Sequence, residues 1–197
     1  MTEMWLVRHG QTDWNLAGIY QGQSDIPLNE TGIEQAKTLA QSLAGTHFDA
    51  IYSSDLLRAR QTAEIIARQF DLPVVTDPRL REIRQGVWEG MTIQEVKRKY
   101  APDFTRDAEQ ITIPRAEGAE SLAEVITRMV EVANEIYDRH NGHRVLLASH
   151  GLAVAVLYLT ANKMPIRDIY HHIPDNGQHL VIRLNSHIRL PDFHNAG

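Results

Sequence analysis

The 197-residue chain contains no cysteine. That excludes disulfides, thiolate nucleophiles and cysteine-ligated metal sites. A basic excess is missing too: 20 lysines and arginines stand against 25 acidic residues, a formal net charge of -5. Non-specific nucleic-acid binders carry the opposite balance, so no nucleic-acid partner is expected, although a local basic pocket is compatible with this charge. No apolar run reaches membrane-spanning length, and Met1-Thr2-Glu3 is not the basic start of a signal peptide. A cytoplasmic protein without membrane association is the expectation. No linker, composition shift or internal repeat divides the sequence, and its length suits a single core. One domain over residues 1–197 is expected. The 10 histidines raise the question of a metal. The short histidine–carboxylate spacings of metal hydrolases are absent, and His171-His172 are adjacent, so they point apart in regular structure. Neither metal nor cofactor is expected.

What the chain does have is alternation of strand and helix. Met4 to Val7 is a continuous apolar run, as in a strand buried on both faces. It ends in Arg8-His9-Gly10, where the glycine is expected to allow a sharp turn. Asp13 to Leu28 has no period and reads as a loop. Thr31 and Glu34 form a capping box opening a helix that stops near Gly45. A strand over 48–52, a helix over 56–70 and a short strand over 72–75 follow. The polar stretch 79–90 reads as a loop. Thr92 with Glu95, and Ser121 with Glu124, are two further capping boxes. Between those helices, residues 101–120 lose all periodicity, the pattern of a functional cover or a mobile segment. A strand over 144–148, an apolar helix over 152–159 and a final strand over 179–184 complete the order, with a small edge piece at 188–193. This pattern predicts a three-layer α/β/α sandwich around a mainly parallel sheet with an antiparallel edge strand.

Two strands deliver the same signature. Val7-Arg8-His9-Gly10 and Ala148-Ser149-His150-Gly151 each end a buried strand in a histidine and a glycine. In a parallel sheet those ends share one edge, where open α/β folds bind ligands. Arg58 lies one turn into the helix after Tyr52-Ser53-Ser54, whose N-terminus also favours an anion there. Glu82 sits in the polar loop on the same side. Arg60, two residues beyond Arg58, faces elsewhere and reads as a surface charge. Imidazole beside guanidinium suits a phosphate.

The ordered set resembles the histidine phosphatase superfamily, which includes cofactor-dependent phosphoglycerate mutases and many small phosphatases. The matching pieces run almost end to end. They are Arg8-His9-Gly10 with Thr12 and Asn15; Asp25 to Leu28 with Gly32; Tyr52 to Ala63; Leu80 and Glu82 with Gly86, Trp88, Glu89 and Gly90; Glu120-Ser121; and Ser149-His150-Gly151. One departure is Gly118-Ala119-Glu120, where members often carry two glycines before the glutamate. The resemblance implies a phosphoglycerate mutase-like fold and a metal-independent phosphomonoesterase. His9 would attack phosphorus and form a phosphohistidine, a role that needs a proton held on its other nitrogen. Arg8, Arg58 and His150 would surround the phosphoryl oxygens and stabilise the transition state by their charge, with Asn15, Gln21 and Gly151 completing the binding site. Glu82 would protonate the leaving oxygen and then activate the hydrolytic water. The partner implied is a small phosphorylated metabolite. Gln21, Arg84 and Arg106 are candidates to address its polar or carboxylated remainder. Mutase-type transfer and a catalytically silent phospho-ligand binder are the alternatives. A homodimer through strand 179–184 is expected if that strand lies at an edge.

Overall fold

The computed structural model describes residues 1–100 and 111–193. Strand β1 (Thr2–Arg8) leads into a single-turn helix α1 (Asp13–Leu16) and then α2 (Glu30–Ser42). Strand β2 (Ala50–Ser53), helix α3 (Leu57–Ala67) and the short β3 (Val74–Thr76) follow. Two 3-10 turns, Pro78–Leu80 and Gly86–Trp88, flank Glu82. Helix α4 (Ile93–Lys99) precedes the long α5 (Leu122–Arg139). Strand β4 (Arg144–Ser149), helix α6 (Gly151–Ala161), a 3-10 segment Ile166–His171 and strand β5 (His179–Leu184) close the order.

The five strands form one sheet in the order β3-β2-β4-β1-β5. All neighbours are parallel except β5, which runs antiparallel to β1 at the edge. The apolar runs in β1 and β4 exist because both faces of these strands are covered. Met4, Leu6, Val145 and Leu147 pack with buried residues of α5 and α6. Val7, Leu146 and Ala148 point the other way, into a cluster with Leu39 and Ala40 of α2 and Ala63 and Ile66 of α3. The period of two along each strand thus sorts its side chains between two helical layers. The sheet lies between them, as the alternation of elements predicts.

Local differences from expectation have physical causes. Helix α2 is capped by Asn29, not by Thr31 with Glu34: the Asn29 Oδ1 accepts the Gly32 N–H at 2.9 Å, and Thr31 lies within the first turn. The expected loop after β1 contains α1, capped by Thr12, with Asn15 completing a capping box. The boxes at Thr92 and Ser121 form as expected. Residues 188–193 add no strand; Ile188 instead exchanges two hydrogen bonds with the Asn134 side chain, of 2.8 and 3.0 Å, and lies along α5. Of the expected cover, 101–110 lies outside the described residues. The remainder packs on the Glu82 loop, with Ala119 bridging Gln85 and Ile111 buried.

Gly10 serves space, not backbone freedom. Its φ is not positive, but a Cβ there would strike the Gly32 carbonyl, and a Cβ on Gly32 would strike that of Gln11. The chain leaving β1 therefore lies directly on the first turn of α2, fixed by Asn29 N–H to the Gln11 carbonyl at 3.0 Å. Gly32→Ala should lower stability by about 1–3 kcal/mol, the usual cost of overpacking. Equilibrium urea unfolding measures this, and an unchanged midpoint would contradict the close crossing.

Candidate active site

The register of β1 on β4 sets the site. Arg8 pairs with Ser149, so the next residues, His9 and His150, leave adjacent strands side by side. Their ring centroids are 5.1 Å apart, at an interplanar angle of 63°. Both are buried, His9 at 3% exposure and His150 at 0%.

The His9 ring is oriented from two sides. Its Nδ1 lies 2.7 Å from the Gly10 carbonyl oxygen, an acceptor only, so the ring proton resides on Nδ1. Nε2 is left as a lone pair, and the Arg58 Nε–H donates to it at 3.3 Å. Burial pulls the His9 pKa well below its ordinary value; Arg58 and, less, Arg8 add to this, while the Gly10 bond opposes it. The residue is therefore a neutral imidazole with an unprotonated Nε2.

Arg58 is fully buried and points inward from the second position of α3. Its Nη1 and Nη2 donate to the carbonyls of Ser24 at 2.7 Å and Gly22 at 2.8 Å. Burial lowers its pKa to about 10, with Glu82, Asp25 and Glu89 acting to restore it, so the guanidinium stays charged at neutral pH. Glu89 holds the carbonyl-bearing loop in place by accepting from Gln23 N–H, Ser24 Oγ and Gln85 N–H at 3.0–3.1 Å. The α3 N-terminus expected to attract an external anion is served internally, by Asp25 Oδ1 on the Leu57 N–H at 2.6 Å.

His150 differs from expectation in its charge. Burial, with Arg58 and His9 next in weight, brings its pKa well below the ordinary value, so it is neutral. Its Nε2 lies 2.9 Å from Ser54 Oγ, which accepts the Leu56 N–H and whose own O–H has no other acceptor among the described residues. The Ser54 hydroxyl therefore donates to Nε2, and the proton on Nδ1 is left buried without a protein partner. Arg8 presents a similar spare donor: Nη1 is bound to the Pro174 carbonyl at 2.7 Å, while Nε is buried and unpartnered. Gly151 makes room for it, since a Cβ there would come within 3.3 Å of the Arg8 guanidinium.

Glu82 closes the opposite side. Its carboxylate accepts the Leu152 and Ala153 N–H groups at 3.1 Å each and its neighbour Ile83 N–H at 2.9 Å, so it sits at the N-terminus of α6. Asn15 Oδ1 is occupied by Thr12 and by Asn176 Nδ2, leaving its own amide N–H groups for a ligand. Gln21 is buried beside Gly22 with Oε1 unpartnered. Arg84 is committed elsewhere, through Nε to the Gly118 carbonyl at 2.8 Å, and Arg106 lies outside the described residues. Arg60 is exposed and paired with Glu64 at 3.5 Å. Ser54, Pro174 and Asn176 were not singled out from sequence. Ser54 lies within the Tyr52 to Ala63 motif; Asn176, whose Nδ2 donates to the His9 carbonyl at 3.0 Å, lies in a loop with no pattern to mark it.

Comparison with known proteins agrees with this geometry. The family model described as histidine phosphatase superfamily (branch 1) matches residues 4–191. Phosphoserine phosphatase 1 of Hydrogenobacter thermophilus is 38% identical over 184 residues, 93% of this chain and 87% of that protein. A probable phosphoglycerate mutase, GpmB, of Proteus mirabilis is 41% identical over 171 residues, 84% of this chain and 77% of that one. A phosphoserine phosphatase mutant from Entamoeba histolytica, solved with phosphoserine, superposes with a TM-score of 0.80 at 29% identity, covering 100% of this chain and 98% of its own.

The two neutral histidines make stability pH-dependent. In the unfolded chain they take up protons near pH 6.5; in the folded chain they resist until well below that. The unfolded state thus binds more protons as pH falls, and stability declines below about pH 6.5, by up to about 1.4 kcal/mol per pH unit for each histidine. Urea midpoints between about pH 7.5 and 5.5 should fall less steeply in His150→Asn than in the unmodified chain. Parallel slopes would contradict a neutral buried His150.

Proposed function

The chain belongs to the histidine phosphatase superfamily (branch 1), and from that premise we propose how its pocket carries out phosphomonoester hydrolysis. The protein is a phosphatase of small phosphorylated metabolites. His9 Nε2 attacks phosphorus as the bond to the leaving oxygen breaks. The observation that carries this reading is the Gly10 carbonyl on Nδ1, which keeps Nε2 unprotonated. No base is then needed to activate the nucleophile.

Arg58 and Arg8 supply the positive charge, in place of a metal ion. The phosphoryl oxygens take over the Arg58 Nε–H that faces His9, and accept from Arg8 Nε, His150 Nδ1 and the Asn15 amide. These donors are fixed before substrate arrives, so little reorganisation accompanies the reaction. Glu82 takes up a proton from solvent as the phosphate dianion enters, gives it to the leaving oxygen, and then takes one from the water that attacks the phosphohistidine. Hydrolysis returns His9 to its starting tautomer and releases inorganic phosphate.

For the substrate, a carboxylated phosphomonoester is proposed. The names of the relatives from Hydrogenobacter thermophilus and Entamoeba histolytica support phosphoserine as the type. The Arg115 guanidinium lies 5.4 Å from the Tyr170 ring centroid, and it opposes the rise that burial gives the Tyr20 pKa, one residue before Gln21. A cation acting on Tyr20 in this way supports a carboxylate on the substrate. Dimerisation would use β5, whose outer edge has no partner strand among the described residues. No helix of the described residues is long and apolar enough to cross a membrane; a cytoplasmic setting is proposed from the substrate class alone.

His9→Ala should abolish both labelled-phosphate incorporation and phosphate release from a panel of phosphorylated metabolites. Full turnover in that variant would remove the mechanism. The same panel, read for isomerised phosphoglycerate, would reveal mutase activity instead. Glu82→Gln should slow hydrolysis of alkyl phosphates by about 100-fold or more, the usual reach of general acid catalysis. Nitrophenyl phosphate, whose leaving group needs no proton, should slow much less; equal losses would disprove the acid role.

A further inference from the structure

Arg128 lies on α5 and touches neither histidine, yet its guanidinium is saturated. Nε and Nη2 donate to the Glu120 carboxylate at 3.0 and 3.1 Å. Nη1 donates to the carbonyls of Arg79 at 2.8 Å and Arg81 at 2.6 Å, and Nη2 to the carbonyl of Glu82 at 3.0 Å. That accounts for all five donors a guanidinium has. None is left for a substrate.

The carbonyls it gathers belong to one short stretch, the backbone on which Glu82 stands. Glu120, buried at 8% exposure, extends the hold past Glu82 by accepting the Arg84 N–H at 2.8 Å. It also lies 3.4 Å from Gln23 Nε2, which donates to the same Glu82 carbonyl at 3.2 Å. The Glu82 main chain is thus clamped from behind, while its carboxylate is held in front by the N–H groups opening α6. Protonation of a leaving oxygen requires the carboxyl within about 3 Å of that oxygen. A strand end cannot fix such a distance for a loop residue; a saturated ion pair can.

We infer that Arg128, locked by Glu120, is a positioning residue for the Glu82 carboxyl, and that protonation of the leaving group depends on it. The inference rests on the reading of Glu82 as the acid. Lysine cannot replace arginine here, because its three donors cannot serve a carboxylate and three carbonyls in one plane.

Arg128→Lys should lower kcat on an alkyl phosphate by about 10–100-fold, the cost of misplacing a group by roughly 1 Å. KM should change little, and kcat on nitrophenyl phosphate by less than about threefold. Introduced into Glu82→Gln, the same substitution should cost almost nothing further, because residues that act through one another are not additive. Glu120→Gln, which keeps the shape and one acceptor, should give the same leaving-group pattern at smaller size, and it serves if Arg128→Lys folds poorly. Equal losses on both substrates in the single variants, or fully multiplicative losses in the double variant, would overturn the positioning role alone. Indifference of Glu82→Gln itself to the leaving group would overturn both this inference and the acid assignment.

Discussion

The parallel pairing of β1 with β4, with Arg8 opposite Ser149, is the constraint on which the pocket depends. It brings two histidines from sequence positions far apart to a ring separation of 5.1 Å without any contact between them having to be selected for. A one-residue slip would turn every side chain of the slipped strand to the opposite face. Because both faces of β1 and β4 are buried, such a slip would drive each side chain into a cluster packed around a different one. The hydrophobic packing of two helical layers therefore enforces a geometry needed only at the strand ends.

Upon that frame the chain solves an electrostatic conflict. A phosphate pocket wants positive charge, but a nucleophilic imidazole must not be protonated. The two demands are met by dividing the charge among residue types. Arginine keeps its proton even when burial brings Arg58 to about 10, whereas the same burial and the same arginines strip His9 and His150 of theirs. Backbone carbonyls of Ser24, Gly22 and Pro174 stabilise the guanidinium groups without neutralising them, and Glu82 offsets part of their charge from the neighbouring helix end. Each cation is thereby kept in place and still available to a dianion.

Much of this was legible in the sequence, and what was not has a common cause. The apolar runs ending in His9 and His150, the boxes at Thr92 and Ser121 and the final strand at 179–184 are side-chain patterns, and the fold follows them. The cap expected at Thr31 lies two residues earlier, because Asn29, tied to Gln11, takes its place. Most determinants without a sequence pattern are backbone acceptors: the Gly10 carbonyl that sets the His9 tautomer, the carbonyls under Arg58, and those collected by Arg128. Every residue has a carbonyl, so no residue type announces which one will be used. Arg128 was further concealed by the regular apolar stripe of α5, against which a lone arginine reads as solvent-facing.

The tether between His9 and the Gly10 carbonyl also fixes regiochemistry. An imidazole offers two nitrogens to an electrophile, and phosphorylation at either gives a chemically distinct isomer. With Nδ1 occupied by a hydrogen bond 2.7 Å long to an oxygen that cannot yield a proton, that nitrogen is closed to phosphorus. Only the isomer carried on Nε2 can form, and its P–N bond points away from the sheet toward Arg58. A single main-chain oxygen, supplied by the residue next in sequence, thus makes an ambidentate nucleophile act at one atom.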